Sequence, residues 1–199
     1  SAGRCVLAKP AAVAVTIAGS ARSLPGFHAP GVGFEQPFAM LEACHERVQR
    51  TLALLARLRA HVHQHGVDDD ARQAARDVLR YFDGAGPLHH EDEELHVCPV
   101  VLLQGSADAV DRVHQLQDDH LHMGMHWRDA RRRLLALAEG QTHSFSAEDE
   151  ATFALFSQGY AAHIASEEEV VYPAARALLS ESALQQMGQE MRQRRGAAE

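Results

Sequence analysis

The chain has little cysteine, and what it has is scattered. Cys5, Cys44 and Cys98 are odd in number and form no C-x-x-C pair, so they make neither a disulfide framework nor a thiolate metal motif. That points to a reducing, cytoplasmic setting. Positive charge is also short: 19 Lys and Arg stand against 27 Asp and Glu, for a formal net charge of −8. Nonspecific nucleic-acid binding, which needs a basic face to displace counterions, is disfavoured. Arg131-Arg132-Arg133 and Arg192-Gln193-Arg194-Arg195 are short enough to be solvated helix faces. No apolar run is long enough to span a bilayer. Residues 11–18, behind Arg4 and Lys9, are only a faint copy of a secretory signal. Aromatics make up only 6% of the chain, while Ala and Leu are abundant, which leans towards helices. At 199 residues with 46% hydrophobic content, one well-cored domain is expected.

Histidine, by contrast, is abundant, with 14 copies. Two of them open matching stretches. His89…Glu93…Pro99 and His163…Glu167…Pro173 both read His-x3-Glu-x5-Pro. Residues four apart share a helix face, so each stretch aims one imidazole and one carboxylate at a common point.

Pro25, Gly26, Pro30, Gly31 and Gly33 mark residues 1–33 as an irregular lead-in, with Phe27, Phe34 and Phe38 available to pin it. The domain proper is residues 34–196. A first helix from about residue 35–38 to His65, stopped by Gly66, carries Leu41, Val48, Leu52, Leu55 and Val62 on one stripe, with His45 inside it. A second opens after Asp68-Asp69-Asp70 and carries Val78, Phe82, His89, Glu93 and then Val97 or Val100. Gly84-Ala85-Gly86-Pro87 predicts a kink or brief break, and Pro99 a bend or end.

A third helix, residues 107–139, has the stripe Val113, Leu116, His120, Met123, Trp127, Ala130, Leu134 and Leu137. His122 and His126, four apart on the opposite face, are the alternative to His120. The fourth follows Ser146, an N-cap with Asp149 three residues on, and runs Phe153, Phe156, Tyr160, His163, Glu167, Val170, Ala174 and Leu178. Residues 180–195 form a short fifth helix with Leu184 and Met187 inward. The fold class is therefore all-α: an antiparallel up-down four-helix bundle with a short C-terminal helix.

A lone histidine on a core-facing stripe is more commonly a hydrogen-bonded core residue than a ligand. Here each of four stripes carries one, His45, His89, His120 and His163, and two add Glu93 and Glu167. Buried carboxylates without cations are costly, and a pair of metal ions supplies the charge. Mixed imidazole and carboxylate donors suit iron, manganese or zinc. Such a set leaves positions open for an oxo or hydroxo bridge and an external ligand. His90 and Glu94 are also four apart, but counted from the prolines His90 aligns with Ile164, which cannot ligate, so His89 and Glu93 are preferred. Tyr160, one turn before His163, either lines the pocket or is a core residue with a surface hydroxyl.

These residues resemble the hemerythrin-like HHE cation-binding domain over about residues 34–177. The resemblance implies a four-helix bundle holding two iron ions, with His45, His89, His120 and His163 as terminal ligands and Glu93 and Glu167 bridging. Two features depart from the oxygen-carrying hemerythrins. These have an H-x3-H pair on the third helix, where His120 has Gly124 at that offset, and a third histidine on one iron, which has no counterpart assigned here. The aromatic residue usual before the proline is Tyr172 in the second motif and Cys98 in the first. The expected function is binding or sensing of a small oxidant such as O2, NO or peroxide, by a monomer or homodimer. An enzyme of iron-centre repair or of peroxide or NO detoxification ranks second, and a metal store or zinc-bound bundle third. The residues do not decide whether the protein is an enzyme.

Overall fold

The computed structural model describes residues 33–196. The expected irregular lead-in over residues 1–33, apart from Gly33 itself, lies outside the described residues, as do the signal-like run and Phe27. The described residues are all-α, with no strand among them. The helices are α1 (Pro37–His65), α2 (Asp69–Asp92), α3 (Cys98–Gln104), α4 (Ala107–Ala138), α5 (Ala147–Gln158), α6 (Tyr160–Ser166), α7 (Tyr172–Leu178) and α8 (Glu181–Arg194). Single π-helical turns, Glu93–Val97 and Glu167–Val171, join α2 to α3 and α6 to α7. α1 packs on α2, α2 on α4, and α4 on α5.

The helix ends follow local chemistry. Asp68, Ser106, Ser146 and Ser180 accept from the backbone N–H three residues on, and Ser146 with Asp149 closes a full capping box. Gly66 and Gly140 stop α1 and α4 at φ of 80° and 75°, a region that penalises any side chain. The break expected at Pro87 does not form, and α2 runs through it. Asp83, whose carbonyl loses its partner there, is exposed and so is Pro87, so water can satisfy the orphaned oxygen. Phe82 and His89, both buried, hold the helix on either side.

Two apolar layers make up the core. One gathers Val48, Leu55, Val78, Phe82, Met123, Phe153, Phe156, Tyr160 and Ile164. The other gathers Phe38, Leu41, Val97, Val101, Leu116, Val171, Tyr172, Met187 and Met191. Along their helices His45, His89, Glu93, His120 and Glu167 fall between residues of the two layers, and His163 lies between Tyr160 and Ile164 of the first; together the six make one polar belt.

α8 closes the second layer, burying Met187, Gly188 and Met191, while Leu184 is half-buried. Its end is tied to the bundle through Asp92, which is fully buried. Arg194 donates to Asp92 Oδ1 at 2.6 and 2.8 Å, and Arg195 stands 2.6 Å from Oδ2, supplying the cations a buried carboxylate requires. A Cβ on Gly188 would lie 1.9 Å from the Phe34 carbonyl oxygen. Gly188→Ala is expected to lift α8 from the segment before α1 and to cost about 1–3 kcal/mol, as overpacking does. The denaturant midpoint measures this, and an unchanged midpoint would refute the close fit.

Candidate metal centre

A proline six residues beyond a glutamate has a local consequence. Pro99 and Pro173 lack the N–H of a regular ladder. Just before each, the helix widens by one residue, so that the N–H of Cys98 reaches Glu93 O and that of Tyr172 reaches Glu167 O. Both glutamates open a π turn, a feature frequent at functional sites. The extra residue also advances the buried stripe. Val171 and Ala175 face the core in place of the expected Val170 and Ala174; of the two alternatives on the second helix Val97 is buried, followed by Val101 and not Val100.

His45 on α1, His89 on α2, and Glu93 and Glu167 at the π turns form a fully buried group, with donor atoms all within 4.8 Å of one another. Nε2 of His45 lies 3.1 Å from Nε2 of His89 and 3.0 Å from Glu167 Oε2. His89 Nε2 lies 3.4 Å from Glu93 Oε1. A second group, within the same limit, joins Glu93 to His90, His120 on α4 and His163 on α6. Glu167 reaches this group too, with Oε1 2.8 Å from His163 Nε2. Its 3.8 Å separation from His120 Nε2 is a charge contact, too long for a hydrogen bond.

The six residues expected from sequence are thus brought together, and His120 is the inward histidine of α4. His122 is exposed and His126 half-exposed, and neither belongs to either group. The excluded His90 belongs to the second. Consecutive helix residues diverge by about 100°, so His89 faces His45 while His90 stacks on His120 with ring centroids 4.1 Å apart. The doubled histidine at positions 89–90 was the available signal, and symmetry with Ile164 concealed it. Tyr160 takes the core alternative, packed on Phe82 and Phe156.

Acidic neighbours orient three of the rings. Nδ1 of His45 is 2.7 Å from Glu168, that of His120 2.8 Å from Glu94, and that of His163 3.3 Å from Asp119. Each such pair turns Nε2 inward, the usual support of a metal-bound imidazole. Glu94 and Glu168 occupy equivalent positions, each directly after the motif glutamate, where the sequence suggests a mostly charged outer face with one residue free to support a ligand.

The charge balance is unusual. Burial pushes the His45 imidazole down, but Glu167, Glu168 and Glu93 outweigh it and carry it up to about 9. Burial likewise opposes protonation of His120, yet Glu167, Glu93 and Glu94 raise it to about 10. His163 is also raised, by Glu167 against burial. His89 is lowered by burial, and His90 well lowered by burial and by His120, His89 and His163. Burial would raise Glu167, but His120, His163 and His45 hold it well below the ordinary carboxylate range.

Buried polar atoms ordinarily find partners. Glu93 Oε2, both Glu167 oxygens, and Nε2 of His120 and His163 have no hydrogen-bond partner. Five orphaned atoms on four side chains converge on the same belt, where bound cations would satisfy them. The donor set fits metal-cation binding, with Glu93 and Glu167 each within reach of both histidine groups.

Replacing the unexpected residue tests this assignment. His90→Ala and His120→Ala are each expected to lower the metal content by half or more, and His122→Ala to leave it intact. Metal analysis of the three variants checks it, and loss only in His122→Ala would invert the register of α4.

Among the described residues, no helix is long and apolar enough to cross a membrane. Similarity to known proteins agrees with the metal-site geometry. An uncharacterized protein of Haemophilus influenzae is 31% identical over 166 residues, covering 83% of this chain and 94% of that protein. The family described as the Hemerythrin HHE cation binding domain matches residues 36–175, a span that contains all seven clustered donors. The chain belongs to the hemerythrin HHE cation-binding domain family.

Proposed function

We propose that the chain binds a pair of iron ions between its helices and that a small oxidant, such as O2, NO or peroxide, is bound or sensed there. The observation that carries this reading is the sharing of Glu93 and Glu167 by two buried histidine groups. His45 and His89 serve one ion, and His90, His120 and His163 the other. Iron supplies the redox change and the open coordination that side chains lack. The protein's part is to fix the donors and keep water out. Glu94, Glu168 and Asp119 hold three imidazoles in the Nε2-inward tautomer. The apolar layers seal the belt on both sides.

Metal analysis with a visible absorption spectrum, on protein purified from its own host, tests the reading. Two irons per chain and charge-transfer bands that change on exposure to O2 or NO are expected. Ligand released unchanged supports binding or sensing, whereas steady turnover of peroxide or NO supports an enzyme. Zinc at full occupancy without such bands would overturn the iron assignment.

A further inference from the structure

We propose that Tyr172 is itself a metal donor, its phenol oxygen completing the two-histidine half of the centre beside His45, His89, Glu93 and Glu167. This rests on the metal-pair reading and extends it, because the His-x3-Glu motifs do not supply this atom.

Tyr172 follows the second π turn and is 1% exposed. Its hydroxyl donates to Glu93 Oε1 and lies 3.3 Å from His45 Nε2, and its ring stacks on His45 at an interplanar angle of 10°. Donors bound about 2.0–2.2 Å from one metal sit roughly 3 Å from each other. The contacts within this half have that spacing: 3.1 Å from His45 to His89, 3.0 Å from His45 to Glu167 and 3.4 Å from His89 to Glu93. The phenol oxygen falls in the same set. A tyrosine buried for packing alone commonly gives its hydroxyl to a carbonyl, as Tyr81 does to Cys44 O at 3.1 Å. Tyr172 instead directs its hydroxyl at two donors of the centre.

The two halves are otherwise uneven. With Glu93 and Glu167 shared, the three-histidine half has five side-chain donors and the two-histidine half four. Tyr172 makes them equal, leaving one position on each ion in six-coordinate geometry. Cys98, the counterpart of Tyr172 in the first motif, is a free thiol within the apolar layer, so the added donor belongs to one half only. On ligation one metal–oxygen bond forms, the phenol O–H breaks and its proton leaves to solvent. No electrons are transferred. Glu93, relieved of that hydrogen bond, is free to bridge. A phenolate is a hard anionic donor suited to ferric iron, and its charge transfer to that ion absorbs visible light.

Resonance Raman spectra, excited in that band on protein loaded with ferrous iron and then oxidised by ferricyanide, test the proposal. Phenolate ring modes are expected in the wild type and, compared per bound iron, are lost in Tyr172→Phe. The chain has three tyrosines, so the double variant Tyr81→Phe, Tyr160→Phe leaves Tyr172 alone and must keep the modes, which preserves the test if Tyr172→Phe does not fold. Two bound irons without phenolate modes, or modes absent from the double variant, would overturn the proposal and leave the metal pair standing. A wild type that takes up no iron would overturn both.

Discussion

Glu167→Ala is expected to abolish binding of both metal ions, where loss of one histidine removes one. The carboxylate lies 3.0 Å from His45 in one group and 2.8 Å from His163 in the other, so its loss takes a donor from both halves at once. It is also the anion that holds protons on the surrounding imidazoles when no metal is bound. Breaking a buried pair by removing one partner costs about 3–5 kcal/mol, so the metal-free variant should also lose stability on that order. Metal analysis and denaturant unfolding measure the two effects. Glu168→Ala, one residue along, removes only the support of His45 Nδ1 and should weaken metal affinity by about 10–100-fold with the ion count unchanged at saturation. Equal losses in the two variants would mean that Glu167 is not shared.

Metal uptake at neutral pH should release protons, and affinity should fall steeply as the pH is lowered. An imidazole donates to a metal only when neutral. His45 and His120, held up to about 9 and about 10, are protonated at pH 7. Two protons leave on full loading from these groups alone. These two rings by themselves make the loading constant rise about 100-fold per pH unit from pH 7 until His45 begins to titrate. An indicator dye in weakly buffered solution counts the protons, and uptake without release would contradict the assignment of these two rings as ligands. In the metal-free protein the stability contributed by His45 and His120 is complete below the unfolded value near 6.5 and is lost as pH rises through about 9 and about 10; His163, raised against burial by Glu167, acts in the same sense. His89 and His90, lowered by burial, act oppositely and withdraw stability as pH falls below that value.

The helices were legible because their signals are local: Ser146 with Asp149, Gly66 and Gly140 each act within one turn. The six-residue belt was legible because a 3.6-residue period carries each histidine to the core. What escaped was whatever broke period or symmetry. Each π turn adds a residue, which turned Val171 and Ala175 inward in place of Val170 and Ala174. The proline that marks this turn reads in sequence only as a bend or an end. Symmetry between the motifs argues against His90, whose counterpart is Ile164, yet the two halves differ: Ile164 packs in an apolar layer, while His90 meets His120 and His163. Glu94, Glu168 and Asp119 pass for surface charge until a ring nitrogen is found beside each. Arg194 and Arg195, a basic run in sequence, converge on buried Asp92, a pairing across about a hundred residues that no local pattern reveals.

On the proposed reading, one belt of side chains holds two metal ions through shared carboxylates. Reloading the metal-free protein with ferrous iron without oxygen, removing the excess and counting iron per chain tests it most directly. Two irons per chain are expected, with none retained by Glu167→Ala. A single iron in the wild type, or an unchanged count in that variant, would contradict it.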